Sequence, residues 1–133
     1  MTDPVLGPLD YQYTPSTDVA SDMAWFGDAL GARVVFAIES SGVRVAMLEL
    51  TPEQPRILLA DHLEGERPIL VYRAADLAVT RAALEARGLV PERTLEIPVG
   101  PCCVYRSDAG HRLAIYERTR PEVEAHFAGR RDF

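Results

Sequence analysis

A chain of 133 residues, 47% of them hydrophobic, can bury one sizeable core and is too short for two ordinary domains. The net charge of −6, from 20 carboxylates against 14 arginines and no lysine, argues against a phosphate-neutralising face and so against a nucleic-acid partner. No stretch approaches the roughly 20 apolar residues of a membrane span. MTDPVLGPLD lacks the basic start and apolar run of a secretory leader, so the expectation is a soluble cytoplasmic protein.

In chain order, LDYQYT (9–14) is rich in strand formers, and PSTDV then supplies capping residues before an amphipathic stripe. Val19, Met23, Phe26 and Leu30 recur at helical spacing and the stripe stops at Gly31, which predicts a capped helix. Aliphatic and β-branched runs at 32–39, 43–51 and 56–61, divided by Ser-Ser-Gly and by Pro-Glu-Gln-Pro, predict three strands. HLEGERP (62–68) is a polar connector.

The second half repeats that order: a strand at 69–75, a helix at 76–88, then strands in LEIP, PCCVYRSD and HRLAIYERT. Asp18-Val19-Ala20 matches Asp76-Leu77-Ala78, and each helix ends on a glycine, Gly31 or Gly88. The aspartates are placed to accept from the unpaired N–H groups of a first turn, so they read as helix caps rather than catalytic groups. Neither half is large enough to bury a sheet face alone. The expected architecture is α+β: two tandem βαβββ modules, about 9–61 and 69–119, forming one cupped, barrel-like mixed sheet in a single domain, with a C-terminal helix at about 121–128. The arginine-only cation set reads as high-GC, bacterial coding.

With Asp18, Trp25-Phe26 and Leu30-Gly31 in the first half, and Asp76 and SDAGHRLAIYE (107–117) in the second, the chain resembles the vicinal oxygen chelate superfamily. This group contains the glyoxalases, the bleomycin-resistance proteins and the extradiol dioxygenases. The resemblance implies a cavity on the uncovered sheet faces. In metal-dependent members it also implies a divalent ion held by His, Glu or Gln from the first and fourth strands of each half.

Counted from the helix motifs, those ligand places fall on Tyr11, Leu58, Leu70 and Ala114. A slip of one residue gives Gln12, Leu59, Val71 and Ile115 instead, and neither set offers the converging oxygen or imidazole donors that a hard cation needs. His62, His111 and His126 are scattered over a connector, a turn and the C-terminal helix, and adjacent Cys102 and Cys103 point to opposite faces of a strand, so no zinc pattern arises. No metal and no cofactor is expected.

Strand parity adds neighbours to those places. Tyr11, Tyr13, Arg56, Leu58, Leu70, Tyr72, Arg112, Ala114 and Tyr116 are the expected lining, a tyrosine-rich pocket for a flat or cationic molecule. The leading expectation is a metal-free small-molecule binding protein, a homodimer by resemblance, that sequesters an aromatic or cationic metabolite. The alternative is an enzyme of the superfamily, a lyase, isomerase or dioxygenase-like member, using unorthodox ligands or a tyrosine with Asp61-His62 as acid and base.

Overall fold

The computed structural model describes residues 4–133. Their contacts divide into two compact units, Tyr11–Pro68 with Glu124–Phe133, and residues 4–10 with Ile69–Val123. Each contains one helix-covered, four-stranded mixed sheet, so the chain is α+β and built of two βαβββ modules. No helix among the described residues is long and apolar enough to cross a membrane.

The first unit begins at Tyr11 within β1 (Leu9–Pro15) and continues through α1 (Val19–Leu30), β2 (Arg33–Ser40), β3 (Val43–Glu49) and β4 (Arg56–Ala60). The sheet order is β2-β3-β4-β1, antiparallel except for the β1–β4 pair, whose connection runs through α1. Asp18 caps α1 by accepting from the Ser21 N–H at 3.0 Å, and Gly31 closes it at φ 71°, a left-handed conformation that penalises any residue with a Cβ. Val19 and Met23, two members of the helical stripe, are buried on Ala37, Ala46, Leu48 and Leu59, with Phe26 packed beside them.

The second unit carries β5 (Ile69–Arg73), α2 (Leu77–Ala86), β6 (Pro91–Ile97), β7 (Gly100–Arg106) and β8 (Arg112–Tyr116). Its sheet order is β5-β8-β7-β6, with β5 and β8 parallel. Asp76 caps α2 through the Val79 N–H, and the Glu117 carboxylate takes the Leu77 N–H at 2.7 Å. Leu84 buries into Cys103, Tyr105 and Ile115. Gly100 allows the backbone of Glu117 to pass so close that a Cβ there would lie 1.9 Å from its carbonyl oxygen. β6 begins at Pro91, earlier than LEIP predicts, because a register shift between Pro91 and Arg93 admits the polar residues before Leu95 to the edge strand.

The C-terminal segment departs from the expected helix at 121–128. Pro121–Val123 forms one 3-10 turn and α3 is only Glu124–Phe127. The chain then gives up helical bonds for the edge of β2: Gly129 N–H donates to Val35 O, Ala37 N–H to Arg130 O and Asp132 N–H to Ala37 O, at 2.8, 2.8 and 2.7 Å. Phe127 meets Phe36, and Phe133 packs on the α1 core under the Arg44 guanidinium, so both phenylalanines anchor the tail. Arg130 pairs with Asp132 at 2.9 Å.

Candidate functional site

In the first unit, Ile57 and Leu59 of β4 pack toward α1, so alternation turns Arg56 and Leu58 to the uncovered face. Tyr11 is in register with Arg56, and Tyr13 with Leu58, which puts these four predicted residues on one face. Met47 of β3 joins them opposite Leu58. Arg56 reaches Glu49 at 3.2 Å and Arg33 reaches the same carboxylate oxygen at 2.7 Å; the Arg33 hydrogen bond holds the Glu49 carboxyl below its usual range.

The reactive feature of this face lies at its end. Tyr13 Oη and His62 Nε2 are 2.6 Å apart, with the rings edge-on at 6.0 Å and the imidazole exposed. Asp61 turns away and accepts the Arg44 backbone N–H at 3.1 Å. The expected Asp61-His62 pairing is therefore replaced by a Tyr13–His62 pairing. A residue at the strand end is freed from strict alternation, and the aspartate is drawn to a strand N–H.

In the second unit, β5 is in register with β8 as Ile69–Arg112, Leu70–Leu113, Val71–Ala114, Tyr72–Ile115 and Arg73–Tyr116. Ile115, Leu113 and Tyr72 pack on the α2 side with Leu84. Leu70 and Tyr72 thus belong to the covered face and not to the face of Arg112, Ala114 and Tyr116, which correlates instead with Ile69, Val71 and Arg73. The cause is a slip of one residue, which exchanges the two faces of a strand. Tyr11 stands seven residues before Asp18, and the same interval before Asp76 falls on Ile69; Leu70 is six before it.

Tyr116 keeps its expected face, yet it is 0% exposed and its hydroxyl donates to Asp10 Oδ2. Asp10 is itself 3% exposed, and Arg73 Nε approaches the same oxygen at 3.6 Å. Sequence reasoning missed Asp10 and Arg73. The available signal was a carboxylate set between Leu9 and Tyr11 in a strand that has to be buried on at least one side. Arg112 is buried and Ala114 is 2% exposed, so of the second unit's predicted lining Arg112, Ala114 and Tyr116 are all enclosed by protein.

Of the ligand places after the correction, Tyr11 and Leu58 in the first unit supply a single phenol, and Ile69 and Ala114 in the second supply no donor. Among the described residues no group of three or more His, Cys, Asp or Glu is arranged to hold a metal ion. This donor chemistry does not fit a divalent cation. His111 is held at its turn by Ser107, whose hydroxyl accepts the His111 backbone N–H at 3.1 Å, and His126 is exposed on α3. Cys102 and Cys103 are free, buried and on opposite faces of β7; burial pushes the Cys102 thiol up to about 12, which leaves it protonated and inert at neutral pH.

No family model matches the chain, and no curated protein does. Solved structures do match. Methylmalonyl-CoA epimerase from Mycobacterium tuberculosis superposes with a TM-score of 0.72 at 17% identity, over 92% of this chain and 95% of that one. A hypothetical protein from Bacillus halodurans C-125 gives 0.71 at 14%, over 85% and 95%. A variant of the Streptomyces coelicolor methylmalonyl-CoA epimerase in complex with 2-nitronate-propionyl-CoA gives 0.69 at 14%, over 86% and 99%. At these identities the likeness establishes the fold: the chain has the tandem-module fold of the vicinal oxygen chelate proteins.

Proposed function

We propose that this chain is an enzyme that moves a proton on a small organic substrate without a divalent metal, using Tyr13 and His62 as its acid–base pair. The observation that carries this reading is the 2.6 Å contact between a phenol and an imidazole on the uncovered face of the first unit. A positioned imidazole and phenol are both competent proton carriers, and such a pair is worth 10²–10⁴-fold in rate when aligned with the reacting atom.

The step balances within the pair. As Tyr13 Oη accepts a proton from the substrate, its own proton passes to His62 Nε2, leaving a neutral phenol, an imidazolium and a substrate anion. Reversal returns a proton and restores both groups. The structural neighbours include an epimerase of an acyl thioester, and epimerisation at carbon is the removal and return of a proton, the class of reaction this relay performs. Small acyl thioesters and 2-substituted acids are therefore the substrates to test. The same reading keeps the protein in the cytoplasm as a homodimer, with neither nucleic acid nor membrane as partner.

The test is solvent deuterium exchange into a panel of such compounds, followed by mass spectrometry. Exchange should occur with the unaltered protein and fall about 100-fold or more in Tyr13→Phe and in His62→Ala, with folding retained because His62 is exposed and Tyr13→Phe removes only a hydroxyl from a partly buried ring. Absence of exchange, or exchange that survives both substitutions, overturns the proposal.

A second reading is favoured by the shared face of Tyr11, Tyr13, Arg56 and Leu58: sequestration of an aromatic or cationic molecule without turnover. The tyrosine wall is smaller than the sequence implies, since Tyr72 is on the covered face and Tyr116 is fully buried. A ligand that raises the melting temperature while no compound exchanges would select this reading.

A further inference from the structure

β3 and β4 run antiparallel, with Met47 opposite Leu58 and Val45 opposite Ala60. The next pair in that register is Arg44 with Asp61, one residue past the end of β4. In a hydrogen-bonded antiparallel pair the two residues exchange both backbone bonds. Here the Asp61 N–H donates to Arg44 O at 3.3 Å, while the Arg44 N–H donates to Asp61 Oδ1 at 3.1 Å. A side-chain carboxylate thus closes the rung that a straight strand closes with its own carbonyl.

β4 ends on that exchange. Ala60 O still accepts the Ser16 N–H at 3.0 Å, which holds the strand on its β1 side, and residues 61 and 62 then form a turn. Tyr13 is level with Leu58 in the parallel β1–β4 register, so a β4 that ran straight on would carry His62 four residues, about 13 Å, beyond Tyr13. Side chains that stand roughly perpendicular to a sheet do not bridge such a distance. Tyr13 Oη and His62 Nε2 are 2.6 Å apart, and the chain leaves its strand at Asp61. The residue that Asp61 grips is itself held, since the Arg44 guanidinium lies 4.5 Å over the Phe133 ring and its Nε meets Glu39 at 3.3 Å.

We propose that Asp61 is the positioning residue of the Tyr13–His62 pair: its carboxylate closes the last rung beside β4, turns the chain there and so sets the imidazole against the phenol. The catalytic meaning of this role rests on the acid–base reading of that pair.

Two variants of the full chain test it. Asp61→Ala removes the acceptor, whereas Asp61→Asn keeps an acceptor of the same shape without the charge, and folding should survive both because Asp61 is exposed. Nuclear Overhauser contacts between the Tyr13 and His62 rings report the pairing with no substrate present. They should weaken about threefold in Asp61→Ala and be retained in Asp61→Asn. With a compound that exchanges its proton, kcat rather than KM should fall about threefold to tenfold in Asp61→Ala, the worth of one hydrogen bond, and recover in Asp61→Asn. Ring contacts undiminished in Asp61→Ala, or lost equally in both variants, overturn the positioning role and leave the acid–base reading standing. Absence of exchange from a protein whose ring contacts respond as expected overturns that reading and leaves Asp61 as the residue that sets the pair.

Discussion

The two units share a plan and use their polar residues in opposite ways. In the first, α1 buries Val19 and Met23 on an aliphatic sheet face, and the partly buried Tyr13 meets an exposed imidazole. In the second, α2 buries one residue, Leu84, and the core around it includes Cys103 and the phenol Tyr105, while Tyr116 and Asp10 consume each other inside the protein. The difference teaches that a repeated scaffold does not repeat its chemistry. A phenol becomes a proton carrier where solvent and substrate reach it and a structural tie where they do not.

The comparison breaks most visibly in the cores. Leu48 is 0% exposed in the first unit, and Leu48→Ala should cost about 2–5 kcal/mol in chemical denaturation, the range of a fully buried leucine that leaves a cavity. A smaller loss would mean that the aliphatic face can collapse, and that the first core is no better packed than the second.

Two tyrosines of the second unit sharpen it next. Tyr116→Phe strips Asp10 of a hydroxyl donor in a site 3% exposed and should cost about 1–3 kcal/mol. Tyr105 is equally buried, burial pushes its phenol up to about 12, and among the described residues its hydroxyl has no partner at hydrogen-bonding geometry. Tyr105→Phe should be neutral or slightly stabilising, within about 0.5 kcal/mol. Equal costs for the two variants would show that the Asp10 contact adds nothing.

The smallest effect is local and belongs to the first unit alone. Asp132 is held below its ordinary value of 3.8, first by its Arg130 hydrogen bond and then by the Glu39 N–H that it accepts at 2.9 Å. A depressed carboxylate contributes stability that is present above its unfolded pKa and lost as pH falls through its folded one. Protection of the Ala37 and Glu39 amides, measured relative to their intrinsic exchange rates, should therefore be high at neutral pH and fall as the pH drops below 3.8, with no matching change in β8. Asp132→Asn should abolish the pH dependence; persistence of it would assign the effect elsewhere.

Much of this fold is legible in the residues. Asp18 and Asp76 are the caps that their positions promise, Gly31 takes the left-handed close, and nearly every strand lies within a few residues of its apolar run. The site is less so. Tyr11, Tyr13, Arg56 and Leu58 fall on one face because β1 and β4 obey a period of two, whereas Leu70 and Tyr72 were assigned one residue off and exchanged faces. Alternation gives a strand's two sets of side chains; which set meets the helix depends on a register that a single-residue error inverts.

The sequence by itself determined the tandem order of elements, the capped helices and the poverty of metal donors, because these rest on local periodicity, on local hydrogen bonding and on residue type. Only the tertiary structure decided that His62 meets Tyr13 at a separation of 49 in the numbering, that Asp10 meets Tyr116 at a separation of 106, and that the last residues leave their helix for the edge of β2. Those contacts join distant segments through side chains and unpaired backbone groups, and no local pattern records which partner a buried carboxylate or an open strand edge will find.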